Sequence, residues 1–213
     1  MKDITEFNQL DLTKSYTYAD YLTWKFTERV ELLWGKIKKM TPAPSTRHQQ
    51  VLGELFVNIK SKLEKNRCQV FIAPFDVRLP LEDDKGEAVR NVVQPDITVI
   101  CDISKIDERG CYGAPDLVIE VISPSSSRRD LKEKLDLYEK SGIPEYWVVD
   151  PYLGVVQVFI ADKGSGYRNL KPVTAEDVIS AATIPGLEID MKDIFPDILR
   201  EPDEPYSHGV RRW

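Results

Sequence analysis

The feature that most limits the possible folds of this chain is the segment Pro115–Pro151, in which apolar and amphipathic stretches follow one another. Its first apolar run predicts a buried strand over 116–122, and the apolar spacing that follows predicts a helix over 131–141. A second apolar run predicts a strand over 145–149. Glu120 is the anomaly in this segment, because a carboxylate inside a buried strand is costly unless a metal ion or a cation meets it.

The remainder of the chain adds helices, hairpins and further strands. The predicted elements are a short helix over 16–26 with Thr17 as its N-cap, a hairpin over 29–40, a Pro-rich break over 41–45, a long helix from Ser45 to about Asn66, strands over 69–73, 76–79 and 96–101, loops over 81–93 and 102–114, a turn over 123–129 before a cap at Asp130, a strand over 155–160, and a hairpin turn at 164–166. We interpret this order as a mixed α/β fold with one sheet flanked by helices. It predicts a single domain over 1–200 and a polar tail over 201–213.

Composition excludes several classes of protein. Of the 213 residues, 42% are hydrophobic and 30% are charged, which is typical of a soluble globular protein. No apolar run approaches the roughly 20 residues of a membrane span, and the N-terminus lacks the apolar stretch of a signal peptide. Cys68, Cys101 and Cys111 do not follow a zinc-ligand spacing, and we interpret them as reduced thiols in a cytoplasmic protein. The formal net charge of −6 argues mildly against a general nucleic-acid binder.

Two acidic residues on separate predicted strands form the core of a candidate site. Alternate residues of a strand share a face, so Glu120 lies on the face of Asp116 and Val118. Asp96 begins another predicted strand, directly after Pro95. If the two strands are neighbours, Asp96 and Glu120 can converge on one cation, and their oxygen ligands favour Mg²⁺ or Mn²⁺ over zinc.

The helix after the second acid supplies a cation. Lys134 follows Leu131 by three residues and precedes Tyr138 by four, so it lies on the inward, apolar face of that helix. From there its ammonium group could stabilise charge on a phosphoryl group or position an attacking water. A buried ion pair between Glu120 and Lys134 without any chemistry is the structural alternative.

Two further residues are supporting candidates. His48 lies four residues before Leu52 on the inward stripe of the long helix, where it could contact phosphate or support the site. A histidine at the edge of the core, satisfied by its neighbours, is the alternative interpretation. Glu31 lies among apolar residues in the middle of a predicted strand and is a weaker candidate of the same kind.

The run PDITVI, and after a loop the run GAPDLVIEVISPSSSRRDLKEKLDLYEKSGIPEYWVVDP, resemble the Uma-type family of restriction-endonuclease-like proteins within the PD-(D/E)XK nuclease superfamily. The resemblance covers about 18–195 and implies a restriction-endonuclease-like core, with a central mixed β-sheet flanked by α-helices and an N-terminal helix and hairpin. Asp96 matches the first metal-binding acid, and Glu120 matches the acid of the (D/E)XK element. The lysine of that element would stand at position 122, which is Ile122 here, and Lys134 is the matching lysine on the following helix.

The resemblance implies Mg²⁺- or Mn²⁺-dependent cleavage of DNA and a homodimer. Two other functions are compatible with the same residues. One is a catalytically silent DNA-binding or assembly protein on a nuclease fold, which the acidic net charge and Ile122 favour. The other is an RNA or nucleotide phosphodiesterase, because no element that reads bases is recognisable in the sequence.

Overall fold

The computed structural model of this chain describes residues 3–40, 45–64, 66–81, 84–123, 128–162 and 164–196, with the side chains of 128–130 left aside. The helices are α1 (Tyr18–Tyr21), α2 (Thr46–Leu63), α3 (Arg128–Lys140) and α4 (Met191–Ile194). The strands are β1 (Val30–Leu33), β2 (Lys36–Lys39), β3 (Gln69–Ile72), β4 (Val77–Arg78), β5 (Val92–Val93), β6 (Ile97–Ile100), β7 (Ile106–Asp107), β8 (Gly110–Tyr112), β9 (Leu117–Val121), β10 (Glu145–Asp150), β11 (Val155–Asp162), β12 (Gly166–Asn169), β13 (Val173–Thr174), β14 (Val178–Ser180) and β15 (Glu188–Asp190). The predicted Pro-rich break, most of the predicted turn after β9 and the polar tail lie outside the described residues.

A mixed sheet forms the centre of the molecule. Its strand order is β12-β11-β10-β9-β6-β3, with β13 also paired to β11. Strands β9 and β10 are parallel because α3 connects them, whereas β6 runs antiparallel to β9. The predicted α/β class with a central mixed sheet is therefore confirmed.

A second sheet contains the N-terminal hairpin. Its order is β2-β1-β5-β4-β8-β7, so the predicted hairpin is part of a larger sheet. The sequence predicted one sheet, and the structure contains this second sheet as well. The hairpin turns at Trp34 and Gly35, whose φ angles of 56° and 74° suit the tight turns that join twisted strands. A Cβ atom at Gly35 would clash with Ser15 Oγ and crowd the backbone oxygen of Tyr16, and the positive φ disfavours any other residue, so the turn requires glycine there.

The two faces of the central sheet are covered differently. On one face, the apolar side of α2 packs through Leu55 and Ile59 against Ile119 and other strand residues. On the other face, α3 and the second sheet pack through Leu137 and Tyr138 against Val118. Odd positions of β9 therefore face α2, and even positions, Glu120 included, lie on the side of α3. This alternation agrees with the sequence prediction.

The N-terminus of α2 has the predicted cap. The Ser45 hydroxyl accepts a hydrogen bond from the backbone N–H of His48 at 3.2 Å, which satisfies one of the unpaired donors of the first helical turn. The cap fixes where the helix begins, and it thereby sets the position of His48 beside the end of the central sheet.

Several predicted boundaries were wrong. The helix expected over 16–26 is the four-residue α1, and α3 begins at Arg128, so Asp130 lies inside the helix instead of capping it. The predicted loops over 81–93 and 102–114 contain β5, β7 and β8. Strands of two or three residues are too short to show a periodicity, and they form here because distant strands pair with them.

The prediction of three reduced thiols was also wrong. Cys68 and Cys101 form a disulfide bond, whereas Cys111 is free and buried. The pairing follows from sheet register, because Gln69 pairs with Ile100 in the antiparallel strands β3 and β6. Cys68 directly precedes Gln69 and Cys101 directly follows Ile100, so the two cysteines lie opposite each other. Among the described helices, none combines the length and apolar character that crossing a membrane requires.

Candidate active site

The structure brings together the two acids that the sequence singled out. Ile97 of β6 pairs with Ile119 of β9 in antiparallel register, and continuing this register by one residue places Asp96 opposite Glu120. The Asp96 carboxylate also accepts a hydrogen bond from the backbone N–H of Val121 at 2.8 Å. Like charges directly opposite each other destabilise a sheet, so this pair requires compensating positive charge.

Lys134 supplies that positive charge. Its Nζ atom lies 2.7 Å from Glu120 Oε1 and 3.1 Å from Glu31 Oε1. Glu31 reaches this position from β1 of the second sheet, and the same oxygen accepts a hydrogen bond from the backbone N–H of Gln94 at 2.9 Å. One ammonium group therefore bridges carboxylates from both sheets.

For both Glu120 and Lys134, burial and the neighbouring opposite charge shift the pKa in opposite directions. Burial raises the pKa of Glu120, the charge of Lys134 lowers it, and the charges of Asp96 and Glu31 raise it, so that the net pKa is about 7. Burial alone would lower the pKa of Lys134, but the charges of Glu120 and Glu31 outweigh burial and raise this pKa above its ordinary value. Lys134 therefore stays a cation at neutral pH and stabilises the neighbouring carboxylates of Glu120 and Glu31.

His48 lies against Asp96. Its Nε2 atom is 3.4 Å from Asp96 Oδ2, and the side chain is buried. Burial opposes the charged form of His48, but the hydrogen bond to Asp96 and the charge of Asp96 outweigh it and raise the pKa of His48. No described residue forms a hydrogen bond with its Nδ1 atom. Of the supporting candidates, His48 therefore contacts one acid directly, and Glu31 contacts the lysine.

Two neighbours of the acids were missed as site residues. The Tyr138 hydroxyl donates a hydrogen bond to Glu120 Oε1 at 2.7 Å, although the sequence assigned Tyr138 only to the apolar stripe of its helix. Tyr138 follows Lys134 by four residues, and residues at this spacing lie on one face of a helix. This spacing was the sequence feature that could have identified Tyr138 as a neighbour of the site. The backbone N–H of Val121 carries no sequence signal of this kind.

The described residues supply part of the ligand set of a divalent cation. Within the described ranges, no three or more His, Cys, Asp or Glu side chains gather closely enough to hold a metal ion. Asp96 Oδ1 and Glu120 Oε2 accept no hydrogen bond from the described residues, so each acid has an oxygen to offer. Mg²⁺ is commonly held by one or two carboxylates, with water and phosphate oxygens completing its shell, and Asp96 and Glu120 are a donor set of this type.

Comparison with known proteins assigns the family. The sequence profile of the Uma2 family, described as "Putative restriction endonuclease", matches residues 18–192. The chain belongs to the Uma2 family. This membership confirms the resemblance found in the sequence, indicates a nuclease, and brings the expectation of divalent-metal dependence that restriction-endonuclease-like families share.

A solved structure supports the fold of this Uma2 protein. The crystal structure of "a putative nuclease belonging to DUF820" from Anabaena variabilis aligns with a TM-score of 0.63 at 22% identity, covering 84% of this chain and 97% of that one. A comparison with curated proteins found no significant match. The structural similarity therefore supports the restriction-endonuclease-like fold, whereas the roles of individual residues rest on the geometry of the site.

Proposed function

We propose that this Uma2 protein is a divalent-metal-dependent endonuclease that hydrolyses DNA phosphodiester bonds. The observation that best supports this is the cluster of Asp96, Glu120 and Lys134, in which two acids face each other across adjacent strands and a protonated lysine contacts one of them. Such a cluster is costly to bury. It becomes favourable when it has a dication and a phosphate to bind.

In this proposal, Asp96 and Glu120 would hold Mg²⁺ or Mn²⁺. The ion, when bound, would supply a water of lowered pKa and positive charge beside the scissile phosphate. Lys134 stabilises the charge that develops on the phosphoryl oxygens, or orients the attacking water. Glu31 keeps Lys134 in place, and His48 holds the Asp96 carboxylate from the side of α2.

The proposal extends to the wider setting of the protein. A homodimer is the state that the resemblance implies, a cytoplasmic location is the one that the cysteine spacing predicted, and both can be measured. Sedimentation would give the mass of the particle in solution. Alkylation of thiols in intact cells would report the compartment, because disulfides such as Cys68–Cys101 are rare in a reducing cytoplasm.

A catalytically silent DNA-binding protein on the same fold is the second candidate. The observation that favours it is that Lys134 already neutralises Glu120, while the described part of the chain contains no three-member set of metal ligands. Thermal unfolding with increasing Mn²⁺ separates the two functions. A metal that binds the native state raises its stability, whereas a silent protein without a metal site shows no shift.

The direct test compares wild type with Glu120→Gln. Plasmid DNA, single-stranded DNA and RNA are incubated with each protein in Mg²⁺, Mn²⁺ or chelator. We expect metal-dependent cleavage of DNA by the wild type and a loss of at least about 100-fold in the variant, because the charged carboxylate ligand becomes a neutral amide. Glu54→Gln, on the exposed side of α2, is the matched control and should cleave like the wild type.

Three results would count against the proposal. Equal cleavage by Glu120→Gln and wild type would exclude Glu120 from the site. Cleavage of RNA alone would make the protein a ribonuclease that uses the same residues. Absence of cleavage by wild type, together with absence of Mn²⁺ binding, would favour the silent protein.

A further inference from the structure

The Glu120 carboxylate has two donors on one of its oxygens. Glu120 Oε1 accepts hydrogen bonds from Lys134 Nζ and from the Tyr138 hydroxyl, each at 2.7 Å. Glu120 Oε2 accepts none from the described residues. The two donors lie four residues apart on α3, so one face of a single helix determines which oxygen of Glu120 is occupied.

We propose that Tyr138 is a positioning residue, whose hydroxyl fixes the orientation of the Glu120 carboxylate so that Oε2 is presented to the divalent cation. This inference rests on the proposed function, because it concerns the same metal site. It assigns to Tyr138 a role that its place in the apolar stripe of α3 does not require.

The surroundings of Tyr138 suit this role better than those of Lys134. A lysine side chain has four rotatable bonds, and the Lys134 ammonium is shared between Glu120 and Glu31. The Tyr138 ring is fully buried and meets the ring of Tyr146 edge to face, with centroids 5.0 Å apart. Its hydroxyl therefore has little freedom to leave Glu120.

The chemistry of the phenol supports the same conclusion. A tyrosine hydroxyl ordinarily ionises only at about pH 10. Tyr138 therefore remains a neutral donor at physiological pH and does not compete with the carboxylates for the cation. Groups that orient metal ligands in this way commonly contribute 10- to 100-fold to metal affinity.

The neighbouring tyrosine provides a matched control. Tyr146 is also fully buried, but its hydroxyl forms no hydrogen bond with any described residue. Tyr138→Phe and Tyr146→Phe therefore each remove one buried hydroxyl from the same pair of rings. Only the first substitution removes a hydrogen bond to Glu120.

The experiment measures Mn²⁺ binding by calorimetry, without DNA, for wild type and both variants. We expect Tyr138→Phe to raise the dissociation constant at least tenfold and Tyr146→Phe to change it by less than about twofold. In cleavage assays, Tyr138→Phe should require a correspondingly higher metal concentration and should approach the wild-type rate at saturation. Urea unfolding of each variant establishes that both are folded at the assay temperature.

The outcomes are distinguishable. Equal Mn²⁺ affinity of Tyr138→Phe and wild type would overturn this inference and leave the proposed function standing. So would an equal loss of affinity in both variants, since it would reflect packing of the rings. Failure of wild type itself to bind Mn²⁺ would overturn the proposed function together with this inference.

Discussion

At the scale of single residues, Glu120 carries an energetic cost that the fold alone does not explain. Its carboxylate is largely buried opposite Asp96 and in contact with Lys134, and burial is the main cause of a pKa raised to about 7. In the unfolded chain the same group ionises near its ordinary pKa of 4.5. The folded protein therefore binds more protons at this position than the unfolded chain does between these two values.

This difference predicts how stability depends on pH in the absence of metal. As pH rises from about 4.5 to 7, Glu120 loses its proton more readily in the unfolded state, so its contribution to the free energy of unfolding falls. We expect the unfolding free energy of wild type minus that of Glu120→Gln to decrease across this window. Urea unfolding in chelator at several pH values measures it.

The exposed variant Glu54→Gln serves as the reference, and its difference from wild type should stay flat over the same range. A difference for Glu120→Gln that rises with pH would mean that the Glu120 carboxylate is stabilised in its charged form. Lys134 would then outweigh burial, and the interpretation of this pair as an ordinary ion pair would gain weight.

At the scale of secondary-structure elements, β10 is joined to the C-terminal segment by a buried acid. Glu145 is fully buried, and its carboxylate accepts hydrogen bonds from Trp147 Nε1 at 2.7 Å and from the Thr183 N–H and hydroxyl at 2.9 and 2.8 Å. The Thr183 hydroxyl also contacts the backbone oxygen of Asp116. These bonds connect the segment between β14 and β15 to β10 and to the residue that directly precedes β9.

We expect Glu145→Ala to lower the free energy of unfolding by about 3 kcal/mol, because it leaves the indole N–H of Trp147 and the backbone N–H of Thr183 without an acceptor. Urea unfolding tests this, with the exposed Glu188→Gln as control. Cleavage per folded molecule should stay at the wild-type level, because Glu145 does not contact the candidate site. A change of less than about 1 kcal/mol would contradict the assigned role.

The elements differ in how well the sequence predicted them. The predictions for α2, α3 and the hairpin of β1 and β2 located these elements, because each has its own periodic pattern, and α2 and the hairpin also have a cap and a turn residue respectively. Strands β5, β7 and β8 escaped prediction. Each has two or three residues, and their backbone groups pair with distant parts of the chain, as the N–H of Cys111 does with the oxygen of Asp76.

At the scale of the whole molecule, the candidate site exists only where separate layers meet. Asp96 and Glu120 come from the central sheet, Glu31 from the second sheet, Lys134 from α3 and His48 from α2. The sequence identified all five residues as candidates. It could not show that one lysine bridges two sheets, because that contact depends on how the sheets pack.

The disulfide is a further long-range feature, and it predicts a response to reductant. The bond closes a separation of 33 residues, for which the loss of unfolded-state entropy gives roughly 3–4 kcal/mol. We expect dithiothreitol to lower the unfolding free energy of wild type by about that amount. The variant with both Cys68→Ala and Cys101→Ala should not respond to dithiothreitol. If wild type that has been unfolded without reductant has three thiols that react with an alkylating agent, the bond is contradicted.

The sequence by itself determined the α/β class and the two long helices, and it singled out Asp96, Glu120 and Lys134 as candidate site residues. These are local properties, because periodicity, capping and a charge within an apolar run can be recognised within a few residues of one another. Only the tertiary structure decided that Tyr138 contacts Glu120, that Glu31 shares Lys134, and that Cys68 meets Cys101. These contacts join residues on different elements, and the packing of the sheets and helices sets their distances.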